Sequence, residues 1–382
     1  MTYFTLYVLI FPLIILISYV SGNSQLKKLP FFLITFFGLI RYDTTTDYSA
    51  YVLAFWDIKK NIYDGWFEEG FVVLNKFFSF SQLGFVPLLM FSLIIPYRQI
   101  YRILKREKIL VIGSLVFLTF GYFIRFENIV RQGLSMGIFY YSIQYALDKK
   151  YIKYLIATSI AVFIHSSAFV FIPYYFLIRY YANAKIKTYY WGIALLSLYI
   201  IYMINGTSII LNSLITNIPF VQDLISDEIT AQKSLGLTLL FKIIIAWLPS
   251  YYLKDHANNR FVNLSINLSV LSVLASLILI DIIILERVIE YLYIFQIVAV
   301  SVMLKRLLVK RHLYLTPLAC VFLMMVFHYR NVDSYYKDYN YQSIFSKNFK
   351  NNIFYKRNHR WNTKNFDNDD NVNRDTKIKL LY

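Results

Sequence analysis

The sequence predicts an all-α fold, a polytopic membrane bundle of about twelve helices, within a range of about ten to fourteen. Three observations carry that expectation. Hydrophobic residues make up 58% of the 382 positions and charged residues only 16%, with a mean hydropathy of +0.49, outside the usage of soluble domains. Apolar runs of spanning or near-spanning length recur from the N-terminus to Phe327, and they are continuous rather than alternating, which argues against a β-barrel. Lys and Arg concentrate in alternate connections, as the positive-inside rule requires of a multi-pass chain.

In chain order, the run 2–20 lacks a basic leader and a small-residue cleavage site, so it is expected to be a retained first helix. The next spans are 29–40, 82–97, 109–124, 133–147, 152–164, 167–178, 189–209, 235–253, 261–281, 288–304 and 313–328. Those on either side of His165 are shorter than the roughly 20 residues that cross a bilayer upright, so tilted or half-spanning helices are expected there. With the N-terminus outside, the connections 21–28, 98–108, 148–153, 179–187, 254–260 and 305–312 face the cytoplasm and hold most of the loop Lys and Arg. Connections 41–80, 125–131, 210–234 and 281–287 face outward and hold most of the loop acids. Loop 41–80 is too aromatic for a free linker and is expected to lie on the outer surface as amphipathic helix; loop 210–234, with Asp223, Asp227 and Glu228, is expected to do the same. Residues 1–345 thus form one transmembrane unit. Residues 346–382 form a basic, Asn-rich tail without enough aliphatic surface to fold alone.

The net charge of +17 reports orientation, because the charges sit in short loops and in the tail, and it gives no reason to invoke nucleic acid. One cysteine, Cys320, in an apolar run rules out a disulfide framework or a thiolate metal cluster. There is no P-loop, no Gly-x-Ser-x-Gly, no Asp-x-Asp and no His-Glu-x-x-His, so neither nucleotide-driven chemistry nor a bound metal or other cofactor is expected.

The exceptions to the charge pattern are the outward-facing basic residues at membrane edges: Arg41, Arg125, Arg131 and Arg287. All four are arginine, whose planar fork of donors suits bidentate binding of phosphate or carboxylate better than lysine does. In Arg125-Phe126-Glu127-Asn128-Ile129-Val130-Arg131-Gln132, a continuous helix would place Arg125, Asn128 and Gln132 on one stripe with Arg131 beside them. Asp47 and Glu69 in the first outer loop could hold or deprotonate a hydroxyl. His165 in Phe163-Ile164-His165-Ser166-Ser167 could do so too, with Ser166 beside it; the imidazole could equally be a satisfied core group.

The order Arg41, Thr46-Asp47-Tyr48, Glu69-Gly70-Phe71, Arg125 to Gln132, His165-Ser166-Ser167, Glu286-Arg287 and Tyr341-Gln342-Ser343 resembles the EpsG family, grouped with Wzy-type O-antigen and capsule polymerases. Thr45 stands where that family usually has a glycine. The resemblance implies an inner-membrane glycosyltransferase with an outward-facing site that joins repeat units carried on undecaprenyl diphosphate, working in membrane lipid beside a flippase and a chain-length regulator. It implies that Arg41, Arg125, Asn128, Arg131, Gln132, Ser166 and Arg287 bind the diphosphate or sugar, and that the base is His165, Asp47 or Glu69. Two other classes compete: a flippase or transporter of a lipid-linked or anionic solute, which would carry charged or broken helices at mid-membrane and an internal repeat, and a membrane acyltransferase.

Overall fold

The computed structural model describes residues 5–21, 23–41, 47–63, 65, 67–81, 85–120, 126–203, 236–253, 259–279, 283–309 and 315–336. Arg125, loop 210–234 and the tail 346–382 lie outside the described residues. Every described element of regular structure is helical.

A π-helical turn, Thr5–Ile10, runs into α1 (Phe11–Val20), followed by α2 (Leu29–Leu39), α3 (Tyr48–Lys59), α4 (Glu69–Phe78), α5 (Val86–Arg106) and α6 (Leu110–Thr119). Next in the chain come α7 (Val130–Leu147) and α8 (Tyr151–Ile164), then a 3-10 segment, Ser166–Phe171. The chain closes with α9 (Tyr174–Asn183), α10 (Thr188–Met203), α11 (Gly236–Tyr252), α12 (Arg260–Leu279), α13 (Ile283–Glu290), α14 (Tyr293–Val309) and α15 (Leu315–Tyr336).

Two hubs organise the bundle. Helix α7 packs on α5, α8 and α9, and α12 packs on α9, α10, α11 and α14. At the first hub the backbones come very close. A Cβ added at Gly137 on α7 would stand 2.7 Å from the backbone of Pro96 on α5, so a side chain there would push the helices apart. At the second hub amides hold the contact. Asn263 and Asn267 of α12 donate to the carbonyls of Tyr181 and Ala184 at the C-terminal end of α9, satisfying groups that a helix end leaves open.

Large apolar side chains also cover the outside: Leu13, Ile17, Phe32, Ile152, Ile156, Phe176 and Ile193 are all exposed. Such a surface would drive aggregation in water and suits an apolar surrounding, consistent with a helical membrane protein. By length and composition one described helix, Arg260–Ile278, is long and apolar enough to cross a membrane; five shorter apolar helices accompany it.

Several expected boundaries shift. Connection 98–108 is not a loop: α5 continues through Arg106, because Tyr97, Ile100, Ile103 and Leu104 keep a buried stripe while Arg98, Lys105 and Arg106 stay exposed. Loop 41–80 is helical as expected, in two pieces, but α3 does not simply lie on a surface, since Tyr48, Tyr51, Phe55 and Ile58 are buried in the bundle. Segment 281–287 includes the first turns of α13, so Arg287 stands on a helix. The continuous stripe through Asn128 and Gln132 is broken, because Ile129 leaves the helical region at φ −92°, ψ 58° and α7 starts only at Val130.

Candidate functional site around His165

The site is built where α8 ends. Ala161 accepts the His165 backbone N–H at 2.9 Å, and His165 itself is extended at φ −154°, ψ 119°, which turns the chain into the 3-10 segment. Helix α4 begins against this break. A Cβ at Gly70 would lie 2.4 Å from the Phe163 carbonyl oxygen, so only glycine lets the first turn of α4 touch the last turn of α8.

That approach delivers Glu68, the residue before α4, across to α8. Its Oε1 accepts the Nδ1–H of His165 at 2.9 Å, the Ser166 backbone N–H at 2.8 Å and the Ser166 hydroxyl at 2.9 Å. Its Oε2 accepts from Arg131 of α7 at 2.6 Å, and the Arg131 guanidinium also lies 4.7 Å over the Phe67 ring. Burial alone would raise the Glu68 carboxyl; the donors from His165 and Ser166 and the charge of Arg131 outweigh it and hold it at about 2, so it is ionised. Burial pushes the His165 imidazole below its ordinary value, Glu68 pulls the other way, and the charges of Arg131 and Arg287 lower it further.

The imidazole is therefore neutral near pH 7, and since an ionised carboxylate can only accept, the proton sits on Nδ1. Nε2 then carries a lone pair. It is buried and has no hydrogen-bond partner among the described residues.

Around this centre, Gln132 donates from Nε2 to the Arg287 carbonyl at 2.7 Å and to Glu290 at 2.8 Å, tying α13 to α7 while the Arg287 side chain stays exposed. The Tyr291 hydroxyl meets Ser167 at 3.2 Å and donates to Ser135 at 2.9 Å, which donates to Ala161.

The structure thus brings together His165, Ser166 and Arg131, with Gln132 and Arg287 alongside. Of the other expected residues, Arg41 lies apart, while Asp47 stays near this centre, acting together with Arg131 and Arg287 on the buried Tyr51 hydroxyl. Arg41 is fully buried, donates to the Glu127 carbonyl and lies 3.9 Å from the Glu127 carboxylate, while Tyr7 donates to that carboxylate at 3.3 Å. Asn128 accepts the Asp47 backbone N–H at 3.2 Å, pinning the start of α3. Glu69 is exposed on the first turn of α4, and the carboxylate that meets His165 is that of Glu68. Among the described residues no three His, Cys, Asp or Glu side chains converge as metal ligands.

Sequence reasoning missed Glu68. In the structure residues 68, 71, 75 and 78 lie on one stripe of α4 with Phe71 and Asn75 buried, whereas 69, 73 and 77 lie on the exposed stripe. Because the exposed stripe carries Val73 and Phe77 and the buried one Asn75, hydrophobic phase in the sequence does not select Glu68. No sequence signal marks Ser135 or Tyr291 either.

An all-helical bundle coated in apolar side chains is of the class of helical membrane-type proteins. Residues 26–343 match the EpsG family, and the chain belongs to it. Members are Wzy-like polysaccharide polymerases, so membership points to a glycosyltransferase-like polymerase function. No curated protein and no solved structure matches the chain.

Proposed function

We propose that this protein is a polysaccharide polymerase of the bacterial inner membrane, crossing it in about twelve segments, that joins oligosaccharide repeats carried on undecaprenyl diphosphate at the outer face. The observation that carries the reading is His165: a buried neutral imidazole whose Nε2 has no protein partner among the described residues, flanked by the charges of Arg131 and Arg287. A hydroxyl of the acceptor repeat gives its proton to Nε2 as its oxygen bonds to the anomeric carbon of the donor. The bond from that carbon to the diphosphate breaks, and the lipid diphosphate leaves with the electron pair. Negative charge grows on the leaving group, where arginine donors favour the transition state over the ground state. The charges of Arg131 and the exposed Arg287 near His165 support this role for them, and Arg125 joins them on the charge argument alone.

The test is polymerisation of a lipid-linked repeat by the purified protein in lipid nanodiscs. Wild type should convert single units to a ladder of lengths, and His165→Gln should leave single units at equal protein folded. Unchanged turnover in His165→Gln would remove the imidazole from the mechanism. In cells a strain without the protein should still display single repeats, whereas loss of a flippase would remove them as well.

A further inference from the structure

We infer that Glu68 is a positioning residue for this reaction, which fixes His165 in the Nδ1–H tautomer so that Nε2 is left to accept from the acceptor hydroxyl and which tethers Arg131 beside the same imidazole. The inference rests on His165 acting as the base. Its ground is the geometry: one carboxylate separated by 97 residues from the histidine and by 63 from the arginine meets both, with each oxygen committed to a different partner.

Glu68 does not act as the base. Oε1 already accepts three hydrogen bonds and Oε2 a charge-assisted one, so neither oxygen is available to take the acceptor proton. A carboxyl held at about 2 would also be too weak a base near neutral pH. What it can do is choose the tautomer. A neutral imidazole has two, and only the one with its proton on Nδ1 leaves Nε2 able to accept; the ionised carboxylate excludes the other by offering acceptors alone.

The same anion makes His165 a stronger base. The charged groups facing the imidazole are Glu68 at the start of α4, Arg131 of α7 and Arg287 of α13. Burial and the two arginines weaken it, and Glu68 offsets them. The second oxygen adds position: Arg131 is held between Glu68 and the face of Phe67, so its guanidinium plane is set before a diphosphate arrives.

A purely structural carboxylate would also be buried here, since Glu68 closes the start of the 3-10 segment through Ser166. The two roles separate in solution. In Glu68→Gln the negative charge is lost and the amide can present either an acceptor or a donor to Nδ1, so both tautomers form. We expect kcat to fall by about 100-fold, with the KM for the lipid-linked donor changing far less, because the charge of Arg131 remains beside the site. We also expect the acid limb of the pH profile to move to lower pH, because removing the anion lowers the imidazole further. Glu68→Asp should restore part of kcat.

A readout without turnover uses protein labelled with 15N-histidine, with His165 assigned from its missing signal in His165→Gln. Wild type should show a protonated Nδ1 and an unprotonated Nε2 at pH 7.5, and Glu68→Gln should show mixed or reversed tautomers. If His165→Gln is inactive while Glu68→Gln keeps wild-type kcat, acid limb and tautomer, His165 stands as base and the role given to Glu68 is wrong. If His165→Gln stays active, the base reading itself fails, whatever Glu68→Gln does.

Discussion

Two arginine–carboxylate pairs lie in the same half of the sequence, and they differ in what surrounds them. Arg41 and Glu127 are both 0% exposed and are engaged with each other, and the Glu127 carboxylate also accepts from Tyr7. Arg131 and Glu68 are 4% and 20% exposed, and their carboxylate is shared with a histidine that keeps one nitrogen unpartnered among the described residues. The first pair closes on protein, and the second stays partly open beside a nitrogen that the protein does not engage among the described residues. An arginine in an outer connection is thus no sign of a substrate site by itself. What distinguishes the second pair is a third group with spare hydrogen-bonding capacity.

The largest effect should come from breaking the closed pair. Glu127→Ala leaves a buried guanidinium without its carboxylate, a change that typically costs about 3–5 kcal/mol, so folded protein in the membrane should fall steeply in detergent thermal-shift and abundance assays. Normal abundance would show that Arg41 has water or another partner. In the open pair the expected loss is of function. Arg131→Lys keeps charge near Glu68 but not the fork, and polymer should drop strongly while abundance is kept; normal polymer length would make Arg131 an anchor only.

A smaller effect tests how α4 delivers Glu68. Gly70→Ala puts a methyl against the Phe163 carbonyl, with overpacking of this kind costing about 1–3 kcal/mol, and turnover should fall more than abundance does. The pH dependence follows from signs. Glu68 is depressed in the folded protein, so its contribution to stability is full above the ordinary carboxylate value and is lost as pH falls toward about 2. His165 is depressed as well, so activity that needs it neutral should fail only below its ordinary value of about 6.5. A wild-type acid limb above that value would contradict the neutral, buried imidazole. The smallest effect is expected at Lys59→Ala. Lys59 is exposed over Trp56 on α3, and its loss should stay within about 0.5 kcal/mol and leave polymer unchanged.

Much of this was legible beforehand for local reasons. Apolar runs marked the helices, and the break at His165 showed as a polar triplet between two short runs. Long-range pairing was not legible. Nothing local to Arg41 says that Glu127 will neutralise it, so the arginine looked like a binding group. Glu68 and Glu69 are chemically alike, and only the phase of α4 against α8 separates the inward from the outward one. Helix continuity misled at Ile129, where one residue turns the backbone and dissolves the stripe drawn through Asn128 and Gln132.

The closed pair also bears on how the protein is made. Arg41 precedes Glu127 by 86 residues, so at a synthesis rate of ~5–20 residues per second the arginine emerges roughly 4–17 s before its partner. Through that interval Glu127 is not yet there to meet the guanidinium, whose long stem and charged head suit a water-apolar boundary. The contact that ties the region before α3 to the residues before α7 is therefore among the late ones to form as the chain is made.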